Sequence, residues 1–416
     1  MANIGKCPIC SAPTRNGIYC PDHLVEGEWL PPVEKLSKDM KEAAANLGPA
    51  EIRFLVDTYY AYQKGRIRAG NQIKAIDRGP SPEPHDVLNY LTKQSDTMEG
   101  QVKLALRVYA SSKDLGQWLM SIYGIGPVIA SGLLAHIDWS KPTVGHIWRF
   151  AGLDPSSGWL GREKAEELVK AEATELIAQS ERDFAPLVER CCAKVSRKSA
   201  NYYDSVRAQG EKPNRANLIA WLAKRPWNAS LKTLCWKAGQ SFIKLQSKPK
   251  DIYGKQFLVR KAIEIAKNDE GRYAEQAQVK MKLVNKNTDS WPWYAGCYPA
   301  GTTNAYAALA SVFTEPDKLL TERGRLLDDR RVDPGEGVQM LPPLHINARA
   351  SRWMVKLFLS HAHFVGHWLT TGQLAPNPYP IEFCGHAHVI PPPNMGEIIG
   401  LQEAWDERQR RPRGGN

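Results

Sequence analysis

Residues 115–138, LGQWLMSIYGIGPVIASGLLAHID, contain the pattern that decides the fold. An apolar helical segment ends at Tyr123-Gly-Ile-Gly-Pro127, and a second apolar helix follows directly. Glycines on both sides of Ile125 allow a turn with positive φ while the isoleucine packs into the core. Pro127 suits the first position of the second helix, where its missing N–H would be unsatisfied in any case. We therefore predict two helices joined by a tight turn, a helix–hairpin–helix.

This turn would present backbone N–H groups at a helix N-terminus, and such groups bind phosphate without reading bases. On this interpretation Gly124, Ile125, Gly126 and Val128 contact a nucleic acid. The alternative is an ordinary corner between two helices, whose glycines only permit close packing. The net charge of +11 favours the first interpretation, because a basic protein attracts polyanions.

The composition bounds the fold class and the cellular compartment. At 416 residues the chain is long enough for two or three domains. Its N-terminus lacks a signal peptide and no apolar run could span a bilayer, so we predict a cytoplasmic protein without a membrane partner. The eight cysteines form no regular disulfide framework, which indicates a reducing environment. Strand-like alternation is scarce, and we predict an all-α fold around the hairpin.

Four soft or imidazole ligands lie close together at the N-terminus. Cys7 and Cys10 form one C-x2-C pair, and Cys20 and His23 form a C-x2-H pair nine residues later. This spacing is typical of a tetrahedral structural Zn²⁺ site, and metal binding would supply the folding energy of so short a segment. The alternative is four unrelated residues in a flexible tail. We predict a small zinc knuckle without an open catalytic position.

We divide the chain into five segments from these patterns. They are the zinc knuckle (1–30), a helical region with a long basic helix and a connector (33–114), the hairpin and serine-loop domain (115–245), a C-terminal helical region (246–395) and a basic tail (396–416). Asn228 is expected to cap a helix, and 162–210 to form a helical pair. We predict a loop over 291–304 and a last long helix from Ala348 to Leu369.

Further motifs follow the hairpin in a fixed order. Arg149-Phe-Ala-Gly-Leu-Asp-Pro155 leads into Ser156-Ser157-Gly158, Lys224-Arg-Pro-Trp-Asn-Ala-Ser-Leu-Lys232 begins a helix, and Ala348-Arg-Ala-Ser-Arg-Trp-Met-Val-Lys356 closes the set. Together with the hairpin they resemble the C-terminal half of the bridge-RNA-guided insertion-sequence transposases, over roughly residues 50–370. Those enzymes pair an N-terminal RuvC-like DEDD domain with a helical domain that bears a nucleophilic serine.

The resemblance implies that Ser157 is the nucleophile, with Ser156 as the alternative. A serine hydroxyl needs a base or cations to stabilise its alkoxide, and Arg162, Lys224 and Arg225 are candidates that could also hold the scissile phosphate. The other expected nucleic-acid contacts on these motifs are Arg149, Lys232, Arg349, Arg352 and Lys356. The competing interpretation of Ser-Ser-Gly is a turn that ends a helix.

Two features differ from that family. No alternating strands of a DEDD domain precede the hairpin, and 65 residues (159–223) separate the serine motif from Lys224, where the family has a short gap. We therefore expect a DNA-binding protein related to mobile-element transposases, with a serine that could act in strand transfer. Its expected partners are DNA, a structured RNA and further copies of itself. The alternative is a non-catalytic, zinc-containing nucleic-acid-binding protein of a phage or mobile element.

A weaker alternative is a DNA glycosylase of the helix–hairpin–helix type. Thr143-Val-Gly-His146-Ile-Trp-Arg149 resembles the motif that follows the hairpin in those enzymes. Val144 stands where their essential aspartate belongs, and valine can neither activate an attacking group nor stabilise a cationic centre.

Histidines are concentrated near the end of the chain. His361, His363 and His367 lie on the last long helix, and Cys384, His386 and His388 follow it. His363 and His367 share a helical face and could chelate one divalent ion together with Cys384, His386 or His388. The alternative, which we favour, is that the histidine-rich helix end complements the C-terminal helix dipole and forms hydrogen bonds with the loop that follows it.

Overall fold

The computed structural model describes residues 5–6, 13–14, 33, 35–79, 86–154, 159–179, 183–297, 339–378 and 389–410. These residues are almost entirely helical, which confirms the all-α class. One short exception lies at the N-terminus, where β1 (Gly5–Lys6) pairs antiparallel with β2 (Pro13–Thr14), Gly5 opposite Thr14. Among the described residues no helix is both long and apolar enough to cross a membrane.

The described helices follow one another along the chain with short connections. The first seven are α1 (Lys38–Ala44), α2 (Pro49–Asp77), α3 (Asp86–Ser111), α4 (Asp114–Ser121), α5 (Pro127–His136), α6 (Val144–Phe150) and α7 (Arg162–Ala178). The next seven are α8 (Phe184–Lys194), α9 (Ser199–Ala208), α10 (Arg215–Ala223), α11 (Ala229–Leu245), α12 (Tyr253–Asp269), α13 (Ala274–Met281) and α14 (Trp291–Tyr294). Helix α15 (Pro343–Thr371), a 3-10 turn (Met395–Glu397) and α16 (Leu401–Arg410) complete the described part.

The chain forms two compact units. The first comprises residues 1–47 and 54–108, and the second comprises residues 48–53 and 109–416. In the first unit the Nε atom of Arg66 lies 2.7 Å from Oε2 of Glu99, which is 7% exposed. The hydrogen bond from Arg66 holds the pKa of that carboxyl below its usual value despite burial.

The core of the second unit surrounds α15, which packs against α4, α6, α11 and α12. Phe242, Tyr253 and Phe358 are fully buried there, with ring centres 4.8–5.3 Å apart. Small residues let the helices approach closely. A Cβ on Gly132 of α5 would lie 2.6 Å from Cδ2 of Leu234 on α11. The apolar pattern around the hairpin therefore becomes a packed helical core.

Helices α7 to α10 form a separate hydrophobic cluster within the second unit. Cys191, Cys192, Tyr202 and Leu218 are buried in it. Burial raises the pKa of the Cys191 thiol to about 12 and that of Cys192 to about 11, so both act as small apolar groups. The sequence predicts a helical pair over 162–210. The structure has three helices there, because α7 already ends at Ala178 before α8 begins at Phe184, and the positive φ of 53° at Ser196 separates α8 from α9.

Other boundaries show where sequence patterns succeed and fail. The side chain of Asn228 accepts a hydrogen bond from the N–H of Leu231 at 2.9 Å, which confirms it as the N-cap of α11. The predicted loop over 291–304 is wrong at its start, because Trp291–Tyr294 form one helical turn with Pro292 in its first positions. Helix α15 begins at Pro343, before the predicted Ala348, since proline is also favourable at a first helical position.

Candidate nucleic-acid interface

The turn between α4 and α5 is held against α11. The N–H of Ile125 donates to the carbonyl of Ile122 at 2.9 Å, and Ile125 is 5% exposed, so it packs into the core as predicted. Gly124 has a φ of +102°, and a Cβ there would lie 3.2 Å from Phe242. Its carbonyl accepts a hydrogen bond of 2.6 Å from Oγ of Ser241. The fold itself therefore requires glycine at position 124.

Gly126 differs from Gly124. Its φ of −94° and ψ of 174° are extended, so Gly124 alone uses the positive φ that the two glycines allow. A Cβ on Gly126 would meet nothing within 4 Å. No hydrogen-bond acceptor for the N–H groups of Val128 and Ile129 occurs among the described residues. The start of α5 thus carries backbone donors without a described acceptor, next to the open space at Gly126, although Val128 as a whole is only 6% exposed.

A second group of donors forms where distant parts of the chain meet. We call Arg225, Lys232, Arg352 and Lys356 the cation cluster. Burial lowers the pKa of Lys232, and repulsion from Arg225 and Arg352 lowers it further. Burial and Arg352 likewise lower the pKa of Lys356. These like charges affect one another, so the predicted contacts on the Lys224 and Ala348 motifs lie close together.

Tryptophan rings support the cation cluster. The Nζ atom of Lys232 lies 4.3 Å from the ring centre of Trp227, and Nζ of Lys356 lies 4.9 Å from that of Trp148. The indole N–H of Trp148 donates to the carbonyl of Lys356 at 3.2 Å. The sequence interpretation missed Trp148 as a member of this site. Its signal was the interleaving of aromatic and basic residues, visible on both motifs.

The described residues on either side of the serine motif both lie close to members of the cation cluster. Ser156 and Ser157 lie outside the described residues, but Asp154 and Trp159 on either side are described. The carboxylate of Asp154 lies 4.0 Å from Nε of Arg149 and acts to raise the pKa of Lys356. The Trp159 ring centre lies 5.0 Å from the guanidinium carbon of Arg225. Both ends of segment 155–158 therefore lie beside the cations.

The long gap in the sequence does not separate the motifs in space. Residues 159–223 form the cluster of α7 to α10, and its two ends meet where the indole N–H of Trp159 donates to the carbonyl of Ala223 at 2.8 Å. Trp159 also packs edge-on against Trp227, with ring centres 6.0 Å apart. The guanidinium of Arg197 donates to the carbonyls of Trp221 and Lys224, both at 2.8 Å. These contacts bring Lys224 and Arg225 back to the serine motif.

Close packing fixes α6 against the start of α11. The N–H of Asn228 donates to the carbonyl of Phe150 at 2.8 Å. Gly152 has a φ of +64°, and a Cβ there would lie 2.7 Å from Cγ of Trp227. The motif Arg149–Pro155 therefore contains a glycine because the backbone turns left-handed directly against an indole ring.

Three predicted contacts have other neighbours. Arg162 is exposed and pairs with Glu166 at 3.0 Å. The guanidinium of Arg349 donates to buried Glu264 at 2.8 Å and to Gln276 at 3.1 Å. Lys224 contributes its carbonyl to Arg197. Contact of these three residues with a nucleic acid stays a prediction. The hydrogen bonds of Arg349 also give it a structural role, since they link α15 to α12 and α13.

The helical histidines are buried and bonded to backbone. His363 Nε2 lies 2.7 Å from the carbonyl oxygen of Lys141, and His367 Nδ1 lies 3.1 Å from that of Trp139. His361 Nε2 lies 2.9 Å from the carbonyl of Ile390, so its Nδ1 accepts from the hydroxyl of Tyr253 at 2.8 Å. Of the three, only His361 bonds to the described part of the segment that follows the helix, as we favoured from the sequence, whereas His363 and His367 bond to the backbone of Lys141 and Trp139.

Metal binding stays a prediction at both ends of the chain. Within the part of the chain that the structure describes, no three histidine, cysteine or acidic side chains are placed to hold a metal ion. The remaining predicted ligands lie outside the described residues; they are Cys7, Cys10, Cys20, His23, Cys384, His386 and His388.

Comparison with protein-family models, with curated proteins and with solved structures finds no match. Val144, at the position of the glycosylase aspartate, is 4% exposed and packs in the core. The chain offers no carboxylate at that position, which disfavours the glycosylase alternative.

Proposed function

We propose that this protein binds DNA through its backbone phosphates and is related to mobile-element transposases, with Ser157 acting in strand transfer. The observation that carries the proposal is the cation cluster. Two separate chain segments, 224–232 and 348–356, place positive side chains beside the two ends of the serine motif, where burial and the repulsion between like charges lower the pKa values of Lys232 and Lys356. A bound phosphate would relieve that repulsion, and arginine and lysine are the usual phosphate ligands in proteins.

The turn at Gly126 supplies a second phosphate contact in this proposal. The unpaired N–H groups of Val128 and Ile129 lie at the positive end of the α5 dipole, and the missing side chain of Gly126 leaves room for a close approach. Neither feature reads bases, so we expect binding that depends strongly on salt and weakly on sequence.

For strand transfer, the hydroxyl of Ser157 would attack the phosphorus atom of a phosphodiester. A bond forms between Oγ and phosphorus while the bond from phosphorus to one DNA ester oxygen breaks, and the proton lost by Ser157 is matched by the one that this oxygen takes up to become a free hydroxyl. The cation cluster would stabilise the charge that develops on the non-bridging oxygens. The reverse attack by a DNA hydroxyl would then join strands, because the phosphodiester energy is retained in the serine ester.

A structural Zn²⁺ belongs to the same proposal. The β1–β2 pair brings together the two ends of the segment that contains Cys7 and Cys10. This supports a knuckle closed by Cys20 and His23. A structured RNA and a second copy of the chain are proposed as further partners on the family resemblance alone. One observation supports the proposed second divalent ion at His363 and His367. In each ring one nitrogen is hydrogen-bonded to a backbone carbonyl, as is common in metal-binding histidines, whose other nitrogen binds the ion.

The test compares DNA binding with strand cleavage. The double variant Arg352→Gln with Lys356→Gln should bind duplex DNA more weakly and lower the slope of log affinity against log salt by about 2. The matched control neutralises Lys164 and Arg207, which are exposed on α7 and α9. An equal loss in both double variants would contradict the proposed phosphate site.

Ser157→Ala should keep wild-type DNA affinity and abolish the covalent protein–DNA product, measured by denaturing gel electrophoresis of a labelled duplex. If wild type and variant both bind tightly and neither forms that product, the protein binds without catalysis. That result would overturn the strand-transfer part of the proposal and leave its binding part intact.

A further inference from the structure

We infer that α11 carries a binding track for an unpaired DNA strand, which leads from the cation cluster to the turn at Gly126. The inference rests on the proposed function and specifies its substrate class. The surface concerned is the solvent-facing side of α11. Its middle part takes no part in the phosphate contacts proposed above.

The solvent-facing side of α11 alternates cations with an aromatic ring. Lys232, Trp236, Gln240 and Lys244 recur every four residues, so they follow one another along the same side of the helix. The opposite side, which includes Leu234 and Phe242, is buried. We call these four residues the α11 stripe.

The α11 stripe begins at the cation cluster, to which Lys232 belongs. The C-terminal part of α11 lies beside the turn, because Ser241, which is not itself part of the stripe, donates to the carbonyl of Gly124. Nine residues of helix separate Lys232 from Ser241, or about 14 Å at 1.5 Å per residue. One DNA strand rises about 3.4 Å per nucleotide when stacked, so about four nucleotides fill this distance.

Trp236 makes an unpaired strand the fitting occupant. Its side chain is 61% exposed, and it contacts no other ring and no hydrogen-bond partner among the residues that the structure describes. A base inside a duplex has both faces covered by its neighbours, so it cannot stack on this indole. An unpaired base can, and cations before and after the ring then hold the flanking phosphates.

The composition of the stripe disfavours a protein partner. Trp236 is its single large apolar side chain, with lysines one turn before and two turns after it. A docking helix would need a wider apolar surface to bury and would leave both cations unpaired. Tyr123, beside the turn, is 40% exposed and provides a second aromatic surface at the far end of the track.

The experiment measures binding of the full-length protein to two labelled DNAs by fluorescence anisotropy. One is a thymidine oligonucleotide of about 12 nucleotides, and the other is a blunt duplex of the same length. Trp236→Leu removes the ring but keeps an apolar side chain, and Trp236→Phe keeps a ring. Ile177→Ala, on α7, is the control for loss of an exposed apolar side chain.

We expect Trp236→Leu to weaken binding of the single strand about 5- to 100-fold and to change duplex binding less than about twofold. Trp236→Phe and Ile177→Ala should stay within a few-fold of wild type on both DNAs. Circular dichroism checks that each variant is folded, as expected for an exposed position.

Three results would overturn the inference. They are single-strand binding by Trp236→Leu at wild-type strength, an equal loss on both DNAs, and an equal loss in Trp236→Phe. A uridine RNA that binds more tightly than the DNA strand, with the same dependence on Trp236, would reassign the track to RNA. Failure of the proposed function looks different, because wild-type protein would then show no salt-dependent binding to the duplex.

Discussion

The two glycines of the turn between α4 and α5 should separate stability from DNA binding. Gly124→Ala forces an alanine to a φ of +102° and brings its Cβ 3.2 Å from Phe242. Gly126→Val places a β-branched residue in extended backbone, which suits it, with no atom within 4 Å of the new Cβ. We therefore expect Gly124→Ala to lower the stability of the fold and Gly126→Val to weaken DNA binding without lowering stability.

The magnitudes follow from the geometry. A non-glycine residue in so unfavourable a backbone region costs about 1–3 kcal/mol, so Gly124→Ala should lower the free energy of unfolding by about that amount. Gly126→Val should change it by less than about 1 kcal/mol. Its side chain would instead block access to the N–H groups of Val128 and Ile129. Loss of hydrogen bonds to a charged phosphate, at about 1.5–3 kcal/mol, weakens DNA binding about 10- to 100-fold.

Thermal unfolding by circular dichroism gives the first quantity, and anisotropy titration of a labelled duplex gives the second. Gly126→Ala serves as a graded control, because a methyl group should obstruct less than an isopropyl group. Gly126→Val with normal unfolding and wild-type affinity would refute phosphate binding at this turn. A strongly destabilised Gly126→Val would instead show that the space beside Gly126 is not open in solution.

Further predictions concern buried charges and metal. Glu264→Ala should destabilise the fold by about 3–5 kcal/mol in chemical unfolding, since the half-buried Arg260 and Arg349 lose their buried carboxylate; an effect below about 1 kcal/mol would contradict this. Burial raises the pKa of Glu264, but hydrogen bonds from Tyr273 and Arg349 and the charges of both arginines hold it below its usual value. Its contribution to stability is thus present at neutral pH and is lost as pH falls through that lowered pKa. Burial lowers the pKa of His361 to about 4, so the folded state binds fewer protons than the unfolded state, and stability should decrease from about pH 6.5 down to about pH 4. His361→Gln should reduce this decrease, and an unchanged pH profile would refute the assignment. Native mass spectrometry should find one Zn²⁺ lost with a chelator, whereas a metal-free wild-type mass would refute the knuckle.

The parts of the fold that local chemistry determines could be predicted from the sequence. The turn around Ile125 follows from two glycines and a proline, and the start of α11 follows from the capping side chain of Asn228. The predicted start of α15 at Ala348 is too late, because the helix begins at Pro343 and residues 343–347 already belong to it. Local patterns determine which elements form more reliably than where they begin.

The site could be predicted only as separate motifs. Nothing in the sequence indicates that the indole of Trp159 donates to Ala223, 64 residues away. This contact closes the segment of α7 to α10 on itself, so the 65-residue gap that distinguishes the chain from the resembled family leaves the motif ends adjacent. Loop closure over such a distance depends on the core that the segment builds, which residue patterns do not specify.

Arg349 and the cation cluster differ in what holds their positive side chains in place. The difference explains how a side chain can be positioned while its N–H groups stay available to a phosphate. Arg349 is fixed by Glu264 and Gln276, and these acceptors occupy its N–H groups. Lys232 and Lys356 are instead positioned over the faces of Trp227 and Trp148. A ring face attracts the charge by about 0.5–2 kcal/mol without using a directional donor. Carboxylates in place of those rings would neutralise the cluster, whereas indoles position the ammonium groups and leave their N–H bonds for an incoming phosphate. Trp148→Leu should therefore weaken DNA binding through lost positioning, and Trp148→Glu should weaken it more.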